Sequence, residues 1–228
     1  MSAANGSKGK KKPGEAVSKK SLKRGEPAPL AHLRRADPIL YAAALPHAQD
    51  VLNRKGHRRS YQQLFDSLAG AIVGQQLSTK AADTIWERLK TACKGSVTPE
   101  SIMRLRVPTL RKAGLSAAKV KSLKELSKAI LEGSLKLEML KKVPEEEAIA
   151  QLSAIWGIGR WTAEMFLMFA LEREDVFSPG DLGLRRSMET LYSLAKDVPI
   201  KQLEIISAKW SPHRTFASRI LWRLRDAK

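Results

Sequence analysis

The sequence predicts an all-α fold. Apolar residues recur three and four positions apart in one segment after another. The segments open on Ser, Thr, Asp or Pro and tend to close on Gly, and no convincing run alternates apolar with polar residues as a strand would. Connections are short and no fixed period repeats, which excludes a solenoid array.

The elements follow in order. Asp37-Pro38 reads as an N-cap followed by proline at the first helical position, where its missing N–H costs nothing. Leu64, Phe65, Leu68, Ile72 and Val73 mark a helix over 61–73, and Ser78 or Thr79 caps a second through Ile85, Trp86 and Leu89. Pro99 and Pro108 open short helices, the latter stopped by Gly114. Ser116 begins a long amphipathic helix through Val120, Leu123, Leu126, Ile130 and Leu131, ending at Gly133. Pro144 starts one that runs to about Ile155, and helices follow over 160–171, 182–194, 200–209 and 213–225.

Two units emerge: a disordered basic tail over residues 1–27 and a helical domain over 28–228. The first 25 residues mix Gly, Ser, Pro and Ala with eight Lys and Arg against Glu15, a net +7, which leaves +11 of the total +18 on the remainder. The tail reads as an electrostatic scanner of DNA, a nuclear import signal or a solvated extension. With 41 Lys and Arg against 23 Asp and Glu, the chain attracts polyanions, and nucleic acid is the commonest. No stretch approaches the ~18 apolar residues of a membrane span, and the N-terminus lacks the apolar core of a secretory signal. A single cysteine, Cys93, excludes a disulfide framework, a four-cysteine cluster or a zinc ribbon within this chain and points to an intracellular setting. The histidines, His32, His47, His57 and His213, lack the i,i+4 spacing of a metal site.

The most informative segment runs from Leu152 through Gly157-Ile158-Gly159 to Thr162. One helix ends at Gly157, Ile158 fills the core, and Gly159 turns the chain into the next helix, whose N-terminal amides form a natural phosphate seat. Downstream, Ser178-Pro179-Gly180-Asp181 places a carboxylate where a helix begins. Taken alone, Asp181 reads as an N-cap; 22 residues beyond the hairpin glycine, it reads differently.

That pair resembles the helix-hairpin-helix/Gly-Pro-Asp DNA glycosylases, and within them the alkylbase (3-methyladenine, type II) branch, over roughly residues 60–228. Ala71 to Ser78 is similar to the segment before the helix flanking the lesion, and Trp210 to Arg214 with Leu221-Trp222-Arg223 to the C-terminal helix. The resemblance implies two helical lobes with the active site between them, and Asp181 as catalytic carboxylate. Such an anion stabilises the positive charge that builds on the sugar as an N-glycosidic bond breaks, and orients the attacking water. An alkylated purine is already cationic and needs no general acid. Lyase-active members carry a Schiff-base lysine where this chain has Trp161, which implies a monofunctional hydrolase that leaves the strand intact.

The same resemblance places Trp161 and Trp222 in the base pocket, their π-faces suited to an electron-poor ring, against the plainer reading of Trp161 as core packing. Gln76 and Leu77 stand at the wedge that fills the gap left by the flipped base, against helix capping. Gly157, Ile158, Gly159 and Thr162 bind the DNA backbone. Arg214, Arg219 and Arg223 meet phosphate or water, and Trp86, Trp156 and Trp210 pack. No cofactor is needed; a monovalent cation on the hairpin carbonyls would be structural. The implied partner is double-stranded DNA bearing alkylated bases, the implied state a monomer, and the setting the bacterial nucleoid or the eukaryotic nucleus. The chain departs from the pattern twice: residues 1–60 lack the strands of the β-rich N-terminal domain of longer members, and Gly180 replaces a second acid. Alternatives are a glycosylase for deaminated or oxidised purines, a non-catalytic DNA-structure binder, and a basic RNA-binding protein indifferent to lesions.

Overall fold

The computed structural model describes residues 25–53 and 59–227. Residues 1–24, which hold nearly all of the expected tail, and His57 lie outside them. Among the described residues the chain is entirely helical: α1 (Ala28–Ala36), α2 (Pro38–Ala44), α3 (Ala48–Leu52), α4 (Tyr61–Gly74), α5 (Thr79–Ala92), α6 (Pro99–Arg104), α7 (Val107–Lys112), α8 (Ala117–Leu131), a 3₁₀ turn (Met139–Lys141), α9 (Glu145–Ser153), α10 (Arg160–Phe169), α11 (Leu182–Leu191), α12 (Ile200–Ala208) and α13 (Arg214–Asp226). No described helix is long and apolar enough to cross a membrane.

The caps do what their residue types dictate. Ser60, Ser78, Thr98 and Ser116 each accept a hydrogen bond from the backbone N–H three residues on, and Ser60 and Thr98 close full capping boxes. Ser78 rather than Thr79 is therefore the α5 cap. Two helices go beyond the sequence reading, α1 and α3. They are short, with Leu30, Leu33 and Val51 as their large buried anchors, too few to stand out by periodicity.

The helices build two cores. One gathers residues of α4 to α10 and ends at Val176; the other joins the N-terminal helices α1–α3 to α11–α13 and begins its C-terminal share at Phe177. Adjacent residues thus belong to different lobes, and the chain crosses between them in the loop that carries Asp181. Trp222 packs against both cores. Asp37, buried in the second lobe, ties its halves together. It accepts from Leu40 N (3.0 Å) with one carboxylate oxygen, and from the Tyr192 hydroxyl (2.6 Å) and Trp210 Nε1 (2.8 Å) with the other. Burial first, then the Asp37 carboxylate, pushes the Tyr192 phenol well above its ordinary value.

Candidate active site

Asp181 stands at the crossover as the N-cap of α11, with its Oδ1 accepting from Leu184 N at 2.8 Å. Capping is only part of its role. Trp222 Nε1 donates to the same oxygen at 3.0 Å, and Trp161 Nε1 donates to Oδ2 at 2.8 Å. One indole comes from α10 in the first lobe and the other from α13 in the second. Both carboxylate oxygens are thereby fixed by N–H donors. Trp161 is 52% exposed, so its ring is no core filler.

Trp161, Met165 and Phe169 are spaced by four residues and form one stripe of α10. All three line a cavity of about 450 Å³ closed on the other side by α4 (Ser67, Ala71, Gly74) and by Gln75 and Gln76. Phe169 also borders a second cavity of about 230 Å³ with Trp222, Arg219 and Arg223, and the Phe169 and Trp222 rings lie 5.6 Å apart. Met165 and Phe169 escaped the sequence reading because α10 is apolar on its core side too; their i,i+4,i+8 spacing from Trp161 was the available signal. Arg59 escaped it as well: its Nη1 donates to Ser67 Oγ (2.9 Å) at the cavity wall. A Cβ on Gly183 would come 2.2 Å from Arg225 Nη1 and 3.0 Å from Asp181 Oδ1, so this glycine lets a guanidinium close in beside the carboxylate.

The hairpin divides its labour differently from the sequence reading. Gly157 carries the turn: its φ is +88°, and a Cβ there would fall 2.0 Å from Ser122 Oγ. Gly159 has ordinary extended angles (φ −84°, ψ 167°) and open space around it, so it is not needed for the turn. It is the N-cap of α10 and supplies no side chain to satisfy that helix's first amides, which leaves them accessible to an outside anion. Ile158 differs from its two glycine neighbours. Its side chain is buried and its N–H is bonded to Ile155 O (3.0 Å), so it anchors the hairpin. The Thr162 side chain is likewise buried, since the third position of α10 turns toward the protein; only its amide lies at the helix start.

Gln76 and Leu77 are exposed in the turn between α4 and α5, Leu77 to 40% and Gln76 with a φ of +56°. The turn is held from beneath: Lys119 Nζ donates to Val73 O (2.8 Å) and Gln75 O (2.9 Å), satisfying carbonyls at the end of α4. Gln75 Nε2 donates to Gly157 O at 2.9 Å, which ties the α4–α5 turn to the hairpin.

Two expectations fail. Arg214 does not face solvent or phosphate: its Nε donates to Asp175 Oδ1 (2.7 Å) and its Nη2 to Glu145 Oε2 (2.7 Å), a part-buried clamp between α13, α9 and the crossover loop. Trp156 is not packed like Trp210, which is fully buried. It is 46% exposed beside Gly157, with Lys121 Nζ 4.5 Å from its ring centroid.

The sequence matches the family described as "HhH-GPD superfamily base excision DNA repair protein" over residues 69–213. It is 36% identical over 163 residues to the Schizosaccharomyces pombe protein named DNA-3-methyladenine glycosylase 1, covering 70% of this chain and 71% of that one. The fold superposes on the crystal structure of a Bacillus halodurans DNA-3-methyladenine glycosidase with a TM-score of 0.74 and 32% identity, covering 92% of this chain and 91% of the other. It superposes on a Schizosaccharomyces pombe 3-methyladenine DNA glycosylase in complex with abasic DNA with a TM-score of 0.66 and 31% identity, covering 86% and 95%. This chain belongs to the HhH-GPD superfamily of base excision DNA repair proteins.

Proposed function

We propose that the protein hydrolyses the N-glycosidic bond of alkylated purines, of the 3-methyladenine and 7-methylguanine kind, in double-stranded DNA. The observation that carries this is the Asp181 carboxylate, held through both oxygens by one indole from each lobe. A fixed anion costs no reorganisation when positive charge develops on the sugar, and it orients a water toward C1′. The open face of Trp161, with Met165 and Phe169 behind it, receives the extruded base; a cationic ring is drawn to such π-faces while its bond to the sugar is already weakened. Gln76 and Leu77 fill the vacated stack, and the uncapped start of α10 holds the adjoining phosphate.

Trp161 has no nucleophilic amine, which supports hydrolysis without cleavage of the strand. The proposal includes action as a monomer, wherever genomic DNA lies, in nucleoid or nucleus. The chemistry needs no cofactor; a monovalent cation on the second lone pairs of the hairpin carbonyls, shared with a phosphate, would be structural.

The test is incubation with a duplex methylated by an SN2 agent, followed by chromatography of released bases and denaturing electrophoresis of the strand. The expected result is free 3-methyladenine and 7-methylguanine with unbroken strands until alkali is added. Release of hypoxanthine from a deaminated duplex, with none from the methylated one, would replace the alkylbase reading. Binding without release of any base would replace the enzyme by a binder.

A further inference from the structure

We infer that Glu164 is a positioning residue that sets the place of the Asp181 carboxylate through Ser178; the inference rests on Asp181 being the catalytic group. Glu164 lies on α10 three residues beyond Trp161 and is 1% exposed, a carboxylate among Ala163, Phe166 and Leu167 in the apolar interior. Its Oε2 accepts a short hydrogen bond from the Ser178 hydroxyl (2.5 Å), and its Oε1 accepts from Arg160 Nε (2.9 Å). Ser178 is itself fully buried, and its carbonyl accepts the Asp181 N–H at 3.1 Å, closing the turn that presents the aspartate. Helix α10 therefore grips the loop twice, at its base through Glu164 and at its tip through Trp161 Nε1 on Asp181 Oδ2.

The placement has a physical reason. Val176 ends one core and Phe177 enters the other, so the residues that follow lie between lobes, where the turn is not fixed by either core alone. A polar tether supplies the missing constraint. Burial pushes the Glu164 carboxyl above its ordinary range, opposed by Ser178 and Arg160, so burying this group carries a cost that an apolar residue would avoid. Buried polar groups retained at such a cost specify one geometry, and at a catalytic carboxylate a displacement of about 1 Å lowers the rate by as much as ~100-fold.

The experiment uses the full chain with ¹⁵N-labelled tryptophan. The indole N–H signals of Trp161 and Trp222 report on Asp181, and that of Trp210, bonded to Asp37 in the second lobe, is the internal control. Glu164→Leu and, should that variant fold poorly, Ser178→Ala are expected to move the Trp161 and Trp222 signals and leave that of Trp210 in place. Single-turnover excision falls roughly 10- to 100-fold, the loss of one charge-assisted hydrogen bond, while affinity for an abasic-analogue duplex stays within about threefold. Glu164→Gln, which keeps an acceptor for Ser178, falls between. In an Asp181→Asn background neither change lowers the rate further. Unmoved Trp161 and Trp222 signals, or a full additional loss in the Asp181→Asn background, would overturn the inference. Displaced signals in a protein whose wild type releases no methylated base would leave the positioning intact and remove the proposed function instead.

Discussion

Replacing each hairpin glycine by alanine separates two demands that a Gly-x-Gly spacing cannot distinguish. At Gly157 the backbone sits at φ +88° and a Cβ would lie 2.0 Å from Ser122 Oγ and 3.0 Å from Ser122 Cβ, on a serine that is itself only 2% exposed. The left-handed region costs an L-residue about 1–2 kcal/mol, and forcing a methyl group into a packed site about 1–3 kcal/mol. Gly157→Ala is therefore expected to lose about 2–5 kcal/mol, a drop of roughly 5–20 °C in Tm for a chain of this size. At Gly159 the angles are ordinary and nothing lies within 4 Å of a Cβ. Alanine is a poorer N-cap than glycine, but it reduces unfolded-state entropy by a similar amount, so Gly159→Ala should stay within ~0.5 kcal/mol of wild type. Its cost appears on DNA, where the methyl group stands in front of the α10 amides. Losing one or two amide–phosphate hydrogen bonds at about 1.5 kcal/mol or more each weakens binding roughly 10- to 100-fold. Thermal melts and fluorescence anisotropy with an abasic-analogue duplex, at one fixed salt concentration, measure both. If Gly159→Ala binds as tightly as wild type, no phosphate approaches residue 159 and the seat has been misplaced; if Gly157→Ala melts like wild type, the clash with Ser122 does not matter.

Asp181→Asn keeps the cap to Leu184 but turns an NH₂ group toward an indole N–H, and it removes the anion; excision should fall by about 10²–10³-fold while DNA binding and Tm change little, as single-turnover and melting measurements would show. Asp37→Ala strands the Tyr192 hydroxyl and the buried Trp210 Nε1, and should lower stability by about 3–5 kcal/mol in urea unfolding; a loss under about 1 kcal/mol would refute the linking role. Glu145 has its carboxyl raised by burial, which outweighs the opposing Arg214 guanidinium. A carboxyl raised on folding contributes most below its unfolded value, near 4.3, and loses that contribution as pH climbs through the folded value. The stability of wild type relative to Glu145→Gln should thus decline from about pH 4 toward neutrality; a flat difference would refute the assignment.

Local chemistry made much of this protein legible without coordinates. Ser60, Ser78, Thr98 and Ser116 cap where a side-chain oxygen and an apolar period coincide, and each bond spans three residues. The hairpin and the Pro-Gly-Asp turn are equally local, so their positions, and Asp181 and Trp161 within them, follow from order along the chain. The tertiary structure decided what those residues do. Whether Gly157 or Gly159 is conformationally required depends on Ser122, 35 residues away on another helix. Arg214 looks like a phosphate ligand until α9 and the crossover loop bring Glu145 and Asp175 to it. Trp156 and Trp210 have the same residue type and opposite burial, because one precedes an exposed turn and the other meets Asp37 from 173 positions away. The sequence by itself determined most of the helices, α1 and α3 excepted, and where a carboxylate could stand, since those are set by bonds within a turn. The folded chain alone determined that this carboxylate lies between two cores and is held by an indole from each, since donors 20 and 41 residues distant leave no trace in local periodicity.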